Sequence, residues 1–174
     1  MNEKYDPMDI ANYLIYLANK SEKNITNLQL QKILYFVNAK YLVENNGAPL
    51  MTEKFDRWAY GPVLYEVYSN FRNFGAQPIT EPAGVYNFNS SDPFNAEFKP
   101  FDPSYISDKV KETATDVFNA LIDIKAFDLV GYTHNESIWS DYKKEIENRN
   151  APKYENEEIF EFFRKNPQEQ IWKK

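Results

Sequence analysis

The 174-residue sequence contains no cysteine, one histidine and five glycines. Without cysteine the chain cannot form a disulfide, a thiolate zinc site, an iron–sulfur cluster or a thiol nucleophile. The scattered glycines match neither the P-loop nor the dinucleotide-binding pattern. No apolar run approaches the ~20 residues of a membrane span, and the N-terminal sequence MNEKYDPMD lacks an apolar signal core. We therefore expect a cytoplasmic protein that binds no membrane, cofactor or metal.

Positive charge is also scarce. Lysine and arginine number 20 against 26 aspartate and glutamate residues, giving a net charge of −6. Nucleic-acid binders cluster cations to neutralise phosphates, so this balance is a poor match to that class. Residues 9–42 evoke a helix-turn-helix, but the second helix offers only Lys32 and Lys40 as cations. A nucleic-acid-binding regulator therefore stays a secondary alternative.

Aromatic residues are abundant, with 13 tyrosines and 13 phenylalanines. They suit a core as well as a contact surface, because tyrosine combines a large apolar ring with a polar end. Composition alone does not separate the two uses.

Two helices are predicted near the N-terminus. Asp6 is a suitable cap and Pro7 suits the first helical position. A capping box at residues 26–29 (TNLQ) begins the second helix, which should end near Gly47. Helical spacing predicts that its buried stripe consists of Leu30, Ile33, Leu34, Val37 and Tyr41. This leaves Gln31, Lys32, Tyr35 and Asn38 on flanks that reach solvent or residues 55–63.

The remaining chain reads as further helices joined by one long loop. Residues 50–60 look extended, and Gly61-Pro62 should begin a third helix. Residues 76–103 hold five of the ten prolines and five aromatics, which predicts an ordered loop, with room for a short strand pair, lying against the helical body. Later helices are predicted over 104–124, in a short piece up to Gly131, from a capping box at 133–136, and from about Asn156 to before Pro167.

The predicted fold is thus mainly α. We expect a single compact domain over residues 1–167, with six to seven helices, a short extended or β-hairpin element and the long loop. Residues 168–174 should be a flexible tail, with Trp172 as the one residue able to anchor it.

Catalytic candidates are few. His134 would have to serve any Ser-His-Asp triad, but its place in the predicted capping box favours a structural role. Carboxylates such as those of residues 155–158 are spaced as solvated helix faces rather than as metal ligands. We therefore predict a protein that is not an enzyme, with an unrecognised enzyme as the remaining alternative.

Three segments resemble one known family. They are DIANYL at residues 9–14, TNLQLQKILYF at 26–36 and FDRWAYGPV at 55–63. The second and third are similar to the family patterns T-x-L-x-L-Q-K-L-L-Y and F-x-A-W-x-x-G-P-V, and Thr133-His134 followed by Trp139 echoes its T-H…W segment. Arg57 is a departure, since the family more often has a small residue there. The family is that of Panacea-domain antitoxins, SocA-like and phage-associated.

The resemblance implies an antitoxin that neutralises a cognate toxin by direct protein–protein contact, with delivery of the toxin to a cellular protease as a further role in at least one relative. The alternative is an inhibitor encoded by a phage or another mobile element. Aromatic residues and arginine commonly dominate interfaces. The predicted partner-binding residues are Lys32, Tyr35, Arg57, Trp58 and Tyr60, with ordinary core packing as the alternative for Trp58 and Tyr35. The predicted structural residues are Gln31, Gly61, Pro62, Thr133, His134 and Trp139.

Overall fold

A computed structural model describes residues 4–89 and 91–174 of the chain. The described residues form eight α-helices and two separate two-stranded antiparallel sheets, which confirms a mainly α fold. The helices are α1 (Pro7–Lys20), α2 (Asn27–Glu44), α3 (Tyr65–Phe71), α4 (Asp108–Leu121), α5 (Ala126–His134), α6 (Ser137–Ser140), α7 (Lys143–Glu147) and α8 (Asn156–Lys165). The strands are β1 (Asp56–Trp58), β2 (Gly61–Val63), β3 (Val85–Asn89) and β4 (Asp92–Lys99).

The first two helices begin as their sequences predict. The Asp6 carboxylate accepts a hydrogen bond from the Met8 amide at 2.8 Å, which caps α1. At the start of α2, Thr26 Oγ1 accepts from the Gln29 amide at 3.3 Å and Gln29 Oε1 accepts from the Thr26 amide at 3.2 Å. Helix α2 ends before Gly47, whose positive φ of 84° allows the chain to turn away.

Helix α2 lies at the centre of the molecule. It is buried on more than the single stripe of residues that was predicted. Every residue from 30 to 39 is buried, because α1, α3, α4, α5, α8 and β2 all pack against this helix. The predicted stripe residues are indeed buried. The flanks that were expected to reach solvent or residues 55–63 are buried as well, and Lys32 reaches the 55–63 segment, since it bonds the Pro62 carbonyl oxygen.

The segment after Trp58 also differs from its prediction. Gly61-Pro62 does not begin a helix, because these residues form β2 and pair with β1, Arg57 facing Pro62 and Trp58 facing Gly61. Helix α3 begins later, at Tyr65. The positive φ of Gly61, 92°, reverses the chain between the two strands.

Within the long connection, β3 and β4 pair as a hairpin, which is the strand pair that the prediction allowed for. Asn12 fixes its base, since its side-chain amide donates to the Ala83 carbonyl oxygen at 3.0 Å and accepts from the Ala83 amide at 2.8 Å. Phe101 packs near Tyr16 on the helical body. The expectation that the whole segment lies against the body is wrong for its other described rings, since Tyr86, Phe94 and Phe98 are exposed. The Phe88 side chain and Ser90 lie outside the described part of the structure.

The C-terminal third contains one more helix than predicted. The capping box expected at residues 133–136 is absent, because α5 continues through Thr133 and His134. Thr133 Oγ1 instead donates to the Val130 carbonyl oxygen at 2.8 Å, within α5. The segment that follows breaks into the short helices α6 and α7, whereas α8 has the predicted bounds.

The chain end packs on the core, which contradicts the flexible tail predicted for residues 168–174. Residues 167–169 and 171–173 form 3-10 turns, and Ile171 and Trp172 are buried. The centroid of the Trp172 ring lies 5.3 Å from that of Phe163 and 6.3 Å from that of Phe36. The three rings therefore shield a large aromatic area from solvent. In the part of the chain that the structure describes, no helix has the length and apolar character that a bilayer crossing requires.

Candidate functional site

The turn between β1 and β2 carries an exposed group of aromatic rings. Tyr60 at its tip is 58% exposed, and Phe127, from the first turn of α5, is 65% exposed. Their ring centroids lie 5.6 Å apart in an edge-to-face arrangement. Both rings therefore present apolar area to solvent at one place.

Trp58 continues this group on the other side of the turn. Its ring is half-buried and lies 5.2 Å from Tyr68 and 6.3 Å from Tyr65, both exposed residues of α3. Tyr65 and Tyr68 are three residues apart, so helical geometry brings them to the same side of α3. We call the set Trp58, Tyr60, Tyr65, Tyr68 and Phe127 the aromatic surface.

A groove of about 770 Å³ lies beside Trp58. Residues 56–59 form one wall and α7 with the segment after it forms the other, including Ile146 and Arg149. The groove and the aromatic surface share Trp58, so one approaching segment could use both.

The turn is held from below by polar side chains of α2. Lys32 is fully buried, and its Nζ donates to the Pro62 carbonyl oxygen at 2.7 Å. Gln31 Oε1 accepts from the Leu64 amide at 2.9 Å. Burial lowers the pKa of Lys32 to about 7, although the nearby Glu136 carboxyl opposes this shift. The middle of β2 and the residue that follows the strand are thus fixed by hydrogen bonds to α2.

Gly61 allows this close approach. A Cβ at this position would lie 2.5 Å from Thr133 Oγ1 and 3.2 Å from Lys32 Nζ. The left-handed φ also disfavours any other residue. Gly61 and Thr133, two of the predicted structural residues, thus lie in contact beneath the turn.

A buried acid lies deeper under the same turn. Glu136 is 1% exposed and accepts a hydrogen bond of 2.6 Å from the Tyr35 hydroxyl. Burial raises the pKa of Glu136 well above its usual range, with the Tyr35 hydrogen bond acting in the opposite direction. Burial and the Glu136 charge likewise raise the pKa of Tyr35. Next to Tyr35, the buried Tyr154 hydroxyl has no hydrogen-bond partner among the described residues.

Arg57 is the second buried cation and joins the turn to the C-terminal helices. Its guanidinium donates to the carbonyl oxygens of Ile138, Pro152 and Lys153 and forms an ion pair with Glu158. The same group lies between the rings of Tyr142 and Tyr154, at 3.8 and 4.2 Å from their centroids. The contacts on all sides show that this side chain is a structural element.

His134 and Trp139 secure the outer end of the turn. The Trp139 Nε1 donates to the Trp58 carbonyl oxygen at 3.0 Å. The His134 ring stacks on Trp139 at 3.7 Å, and its Nε2 lies 2.8 Å from the Ala59 carbonyl oxygen, which requires a proton on that nitrogen. Partial burial lowers the pKa of His134, which favours the neutral ring.

The structure divides the five predicted partner-binding residues into two groups. Trp58 and Tyr60 contribute to the aromatic surface. The side chains of Lys32, Tyr35 and Arg57 are buried, so in this structure they present no area to a partner, although Arg57 lies in the wall of the groove. The three belong instead to the network that holds the turn.

Sequence reasoning missed several members of the site. Tyr65, Tyr68 and Phe127 lie outside the quoted motifs, and only the i, i+3 spacing of the two tyrosines on a polar helix gave a signal. Glu136 was interpreted as part of a capping box, and its contact with Tyr35 spans 101 residues, which no local pattern reveals.

The arrangement favours contact over catalysis. The groups with perturbed pKa values at the centre, Lys32 and Glu136, are enclosed by packed helices, whereas the accessible part of the site is aromatic. Within residues 4–89 and 91–174, no group of three or more His, Asp or Glu side chains is placed to hold a metal ion.

Comparison with known proteins identifies relatives of this chain. A family model described as "Antitoxin SocA-like, Panacea domain" matches residues 30–140, which include α2 from Leu30 onward, the turn and Glu136. Antitoxin SocA of Caulobacter vibrioides (strain NA1000 / CB15N) is 37% identical over 81 residues, which are 47% of this chain and 43% of SocA. The match thus spans less than half the length of that relative. No solved structure shows a significant match.

Proposed function

Because this chain belongs to the antitoxin SocA-like, Panacea domain family, we propose that it is an antitoxin that neutralises a cognate toxin in the cytoplasm by binding it directly. The observation that carries the proposal is the aromatic surface on a turn that buried side chains hold from below. Exposed rings on a fixed support are the usual anchors of protein interfaces.

The support matters to affinity as much as the rings do. A partner that binds a pre-formed surface does not spend binding free energy on ordering it. Lys32, Glu136 and Arg57 hold the turn through hydrogen bonds to backbone groups and to other side chains. In this proposal they act on the partner only indirectly, through the position of Trp58 and Tyr60.

The test is neutralisation of the toxin encoded beside this gene. Replacing both Tyr60 and Phe127 with alanine should weaken toxin binding at least ~30-fold, because each anchor commonly contributes ~2 kcal/mol or more. Both rings are largely exposed, so the unfolding transition should stay near that of wild type. Calorimetry measures binding, and growth after co-expression measures neutralisation.

The hairpin supplies the matched control for this test. Tyr86 and Phe98 are also an exposed, adjacent pair, with ring centroids 5.1 Å apart. Replacing both with alanine removes similar exposed area from a different place and should leave toxin binding within a few-fold of wild type. Equal losses in the two variants would refute the assignment of binding to the aromatic surface.

Delivery of the toxin to a protease is a second role that we propose, because it requires another free surface and the hairpin provides one. With the aromatic surface occupied, the exposed rings of β3 and β4 remain available. The Tyr86→Ala and Phe98→Ala double variant should then bind toxin normally but fail to shorten its lifetime in cells. The toxin lifetime is measured after translation is stopped. If it is the same with the double variant as with the wild-type protein, the hairpin has no adaptor role.

A further inference from the structure

An acidic cluster adjoins the aromatic surface at Tyr65. Glu66 follows Tyr65 on α3, and a shallow groove is lined by both residues together with Glu53. Asp6 adjoins them, because the next residue, Pro7, lines the same groove, and the Asp6 amide donates to Asp9 Oδ2 at 3.1 Å. Partial burial and the charges of Asp6, Glu53 and Asp9 raise the pKa of Glu66. We call Asp6, Asp9, Glu53 and Glu66 the acidic cluster.

Nearby cations do not neutralise this cluster. Lys54 and Lys153 line the same groove, but Lys54 pairs with Glu155 at 2.6 Å and Lys153 with Asp56 at 3.6 Å. In the part of the chain that the structure describes, no lysine or arginine forms an ion pair with any of the four acids. Negative charge therefore faces solvent beside a set of exposed rings.

We propose that the aromatic surface and the acidic cluster form one docking surface, and that it accepts a protein segment carrying arginine or lysine beside apolar side chains. This inference rests on the proposed function and specifies the chemistry of the partner. A cation placed here relieves repulsion among four carboxylates, and the tyrosine and tryptophan faces attract the same group through their π electrons. Arginine suits the surface best, since it stacks on rings and pairs with carboxylates.

Charge also argues against other occupants. A second copy of this chain carries the same net charge of −6, and nucleic acid is an anion, so both meet repulsion at the acidic cluster. A basic partner is instead steered toward it, and its association should slow as salt rises.

The test uses a displayed library of random peptides selected on the full-length chain. Enriched peptides should combine arginine or lysine with aromatic or aliphatic residues, and their synthetic versions should bind at least ~10-fold more weakly in high salt. The Glu53→Gln and Glu66→Gln double variant should lose at least ~10-fold in peptide affinity. The control is Glu81→Gln with Glu97→Gln, two exposed acids elsewhere, which should change affinity less than ~2-fold.

Peptides without cationic enrichment, or equal losses in the two acid variants, would overturn the inference. Self-association that depends on Glu53 and Glu66 would also overturn it, and analytical ultracentrifugation detects this outcome. Failure of this inference is distinguishable from failure of the proposed function. If toxin binding needs Tyr60 and Phe127 but does not change with salt or in either acid variant, the antitoxin role stands and the basic character of the partner is refuted.

Discussion

The β1–β2 turn and the β3–β4 hairpin are both two-stranded antiparallel ribbons that expose aromatic rings, but only the first is held from below. Lys32 binds the middle of β2 and Gln31 binds the residue after it, while Trp139 and His134 fix the tip. The hairpin is fastened at its base through Asn12 and Ala83, while Phe94 beyond it is 99% exposed.

The comparison shows that exposed rings alone do not define a binding surface. Rings on the turn are positioned by buried groups from α2, α5 and α6, so a partner meets them already in place. Rings on the hairpin are positioned mainly by their own two strands. We therefore expect changes near the turn to act on the stability of the whole protein, and changes in the hairpin to act locally.

Removal of Arg57 should give the largest effect. The Arg57→Ala change leaves three backbone carbonyl oxygens and the Glu158 carboxylate without their donor, and removes a ring-stacked group. Breaking a buried pair in this way typically costs ~3–5 kcal/mol, and we expect at least ~3 kcal/mol here. Urea unfolding followed by circular dichroism measures it. Unchanged stability with lost toxin binding would instead make Arg57 a surface anchor.

Substitutions of Gly61, in β2, and of Gly84, just before β3, should distinguish a loss of global stability from a local opening of the hairpin. A Gly61→Ala change meets Thr133 Oγ1 at 2.5 Å and a positive φ, so we expect a global loss of ~2 kcal/mol. A Gly84→Ala change meets the Phe98 ring at 2.2 Å and the Lys99 carbonyl oxygen at 2.7 Å. This clash should open the hairpin alone, seen as faster amide exchange over residues 85–99, with global stability within ~0.5 kcal/mol. A global loss from Gly84→Ala would show that the hairpin is part of the core.

The buried Lys32 should make stability depend on pH. Its pKa is about 7 in the folded protein, whereas the ordinary pKa of lysine, which applies to the unfolded chain, is 10.5. Between these two pH values the unfolded chain binds more protons than the folded protein, so the free energy of unfolding rises with pH. The raised pKa of Glu136 acts oppositely, because its stabilising contribution is present at low pH and is lost as that carboxyl ionises.

A Glu136→Gln background isolates the lysine. In it the free energy of unfolding should rise by up to ~1.4 kcal/mol per pH unit between about pH 7 and pH 9. The further change Lys32→Met should abolish most of this slope. A slope that survives in the double variant would assign the pH dependence to other groups.

The smallest effect is expected from the hairpin rings. Replacing Tyr86 and Phe94 with serine should change the free energy of unfolding by less than ~0.5 kcal/mol, since both rings are already mostly in water. Thermal unfolding with matched protein concentrations is sufficient to measure this. A loss above ~1 kcal/mol would mean that these rings pack on the body in solution.

Local signals in the sequence predicted the starts of α1 and α2 correctly. Thr26 with Gln29, and Asp6 with Pro7, form the caps that their residue types indicate. Failures arose where a distant contact outweighed a local signal. Pro62 suits a helix start, but it lies in β2 and pairs with Arg57 of β1. Lys32 of α2 donates a hydrogen bond to the Pro62 carbonyl oxygen.

The sequence motifs drew attention to the 55–63 segment, but they did not reveal how deeply the surrounding residues are buried. The motif residues do surround the 55–63 segment, as their resemblance to the family indicates. Periodicity places a residue on a face of its own helix, but it does not tell how many other elements cover that face. For this reason Tyr35 and Lys32, on the flanks of α2, were predicted to contact a partner although α5, α8 and β2 pack over α2 and bury them.

The enclosure of residues 30–39 of α2 has a practical consequence for defining the folding unit. The family match begins at Leu30 and ends at residue 140, yet α1 and α8 lie outside these limits and both pack against α2. A fragment cut to the matched residues would expose two long apolar strips of its central helix and release Arg57 from Glu158. Such a fragment should aggregate, so the boundary of sequence similarity in this chain lies inside the boundary of its foldable unit.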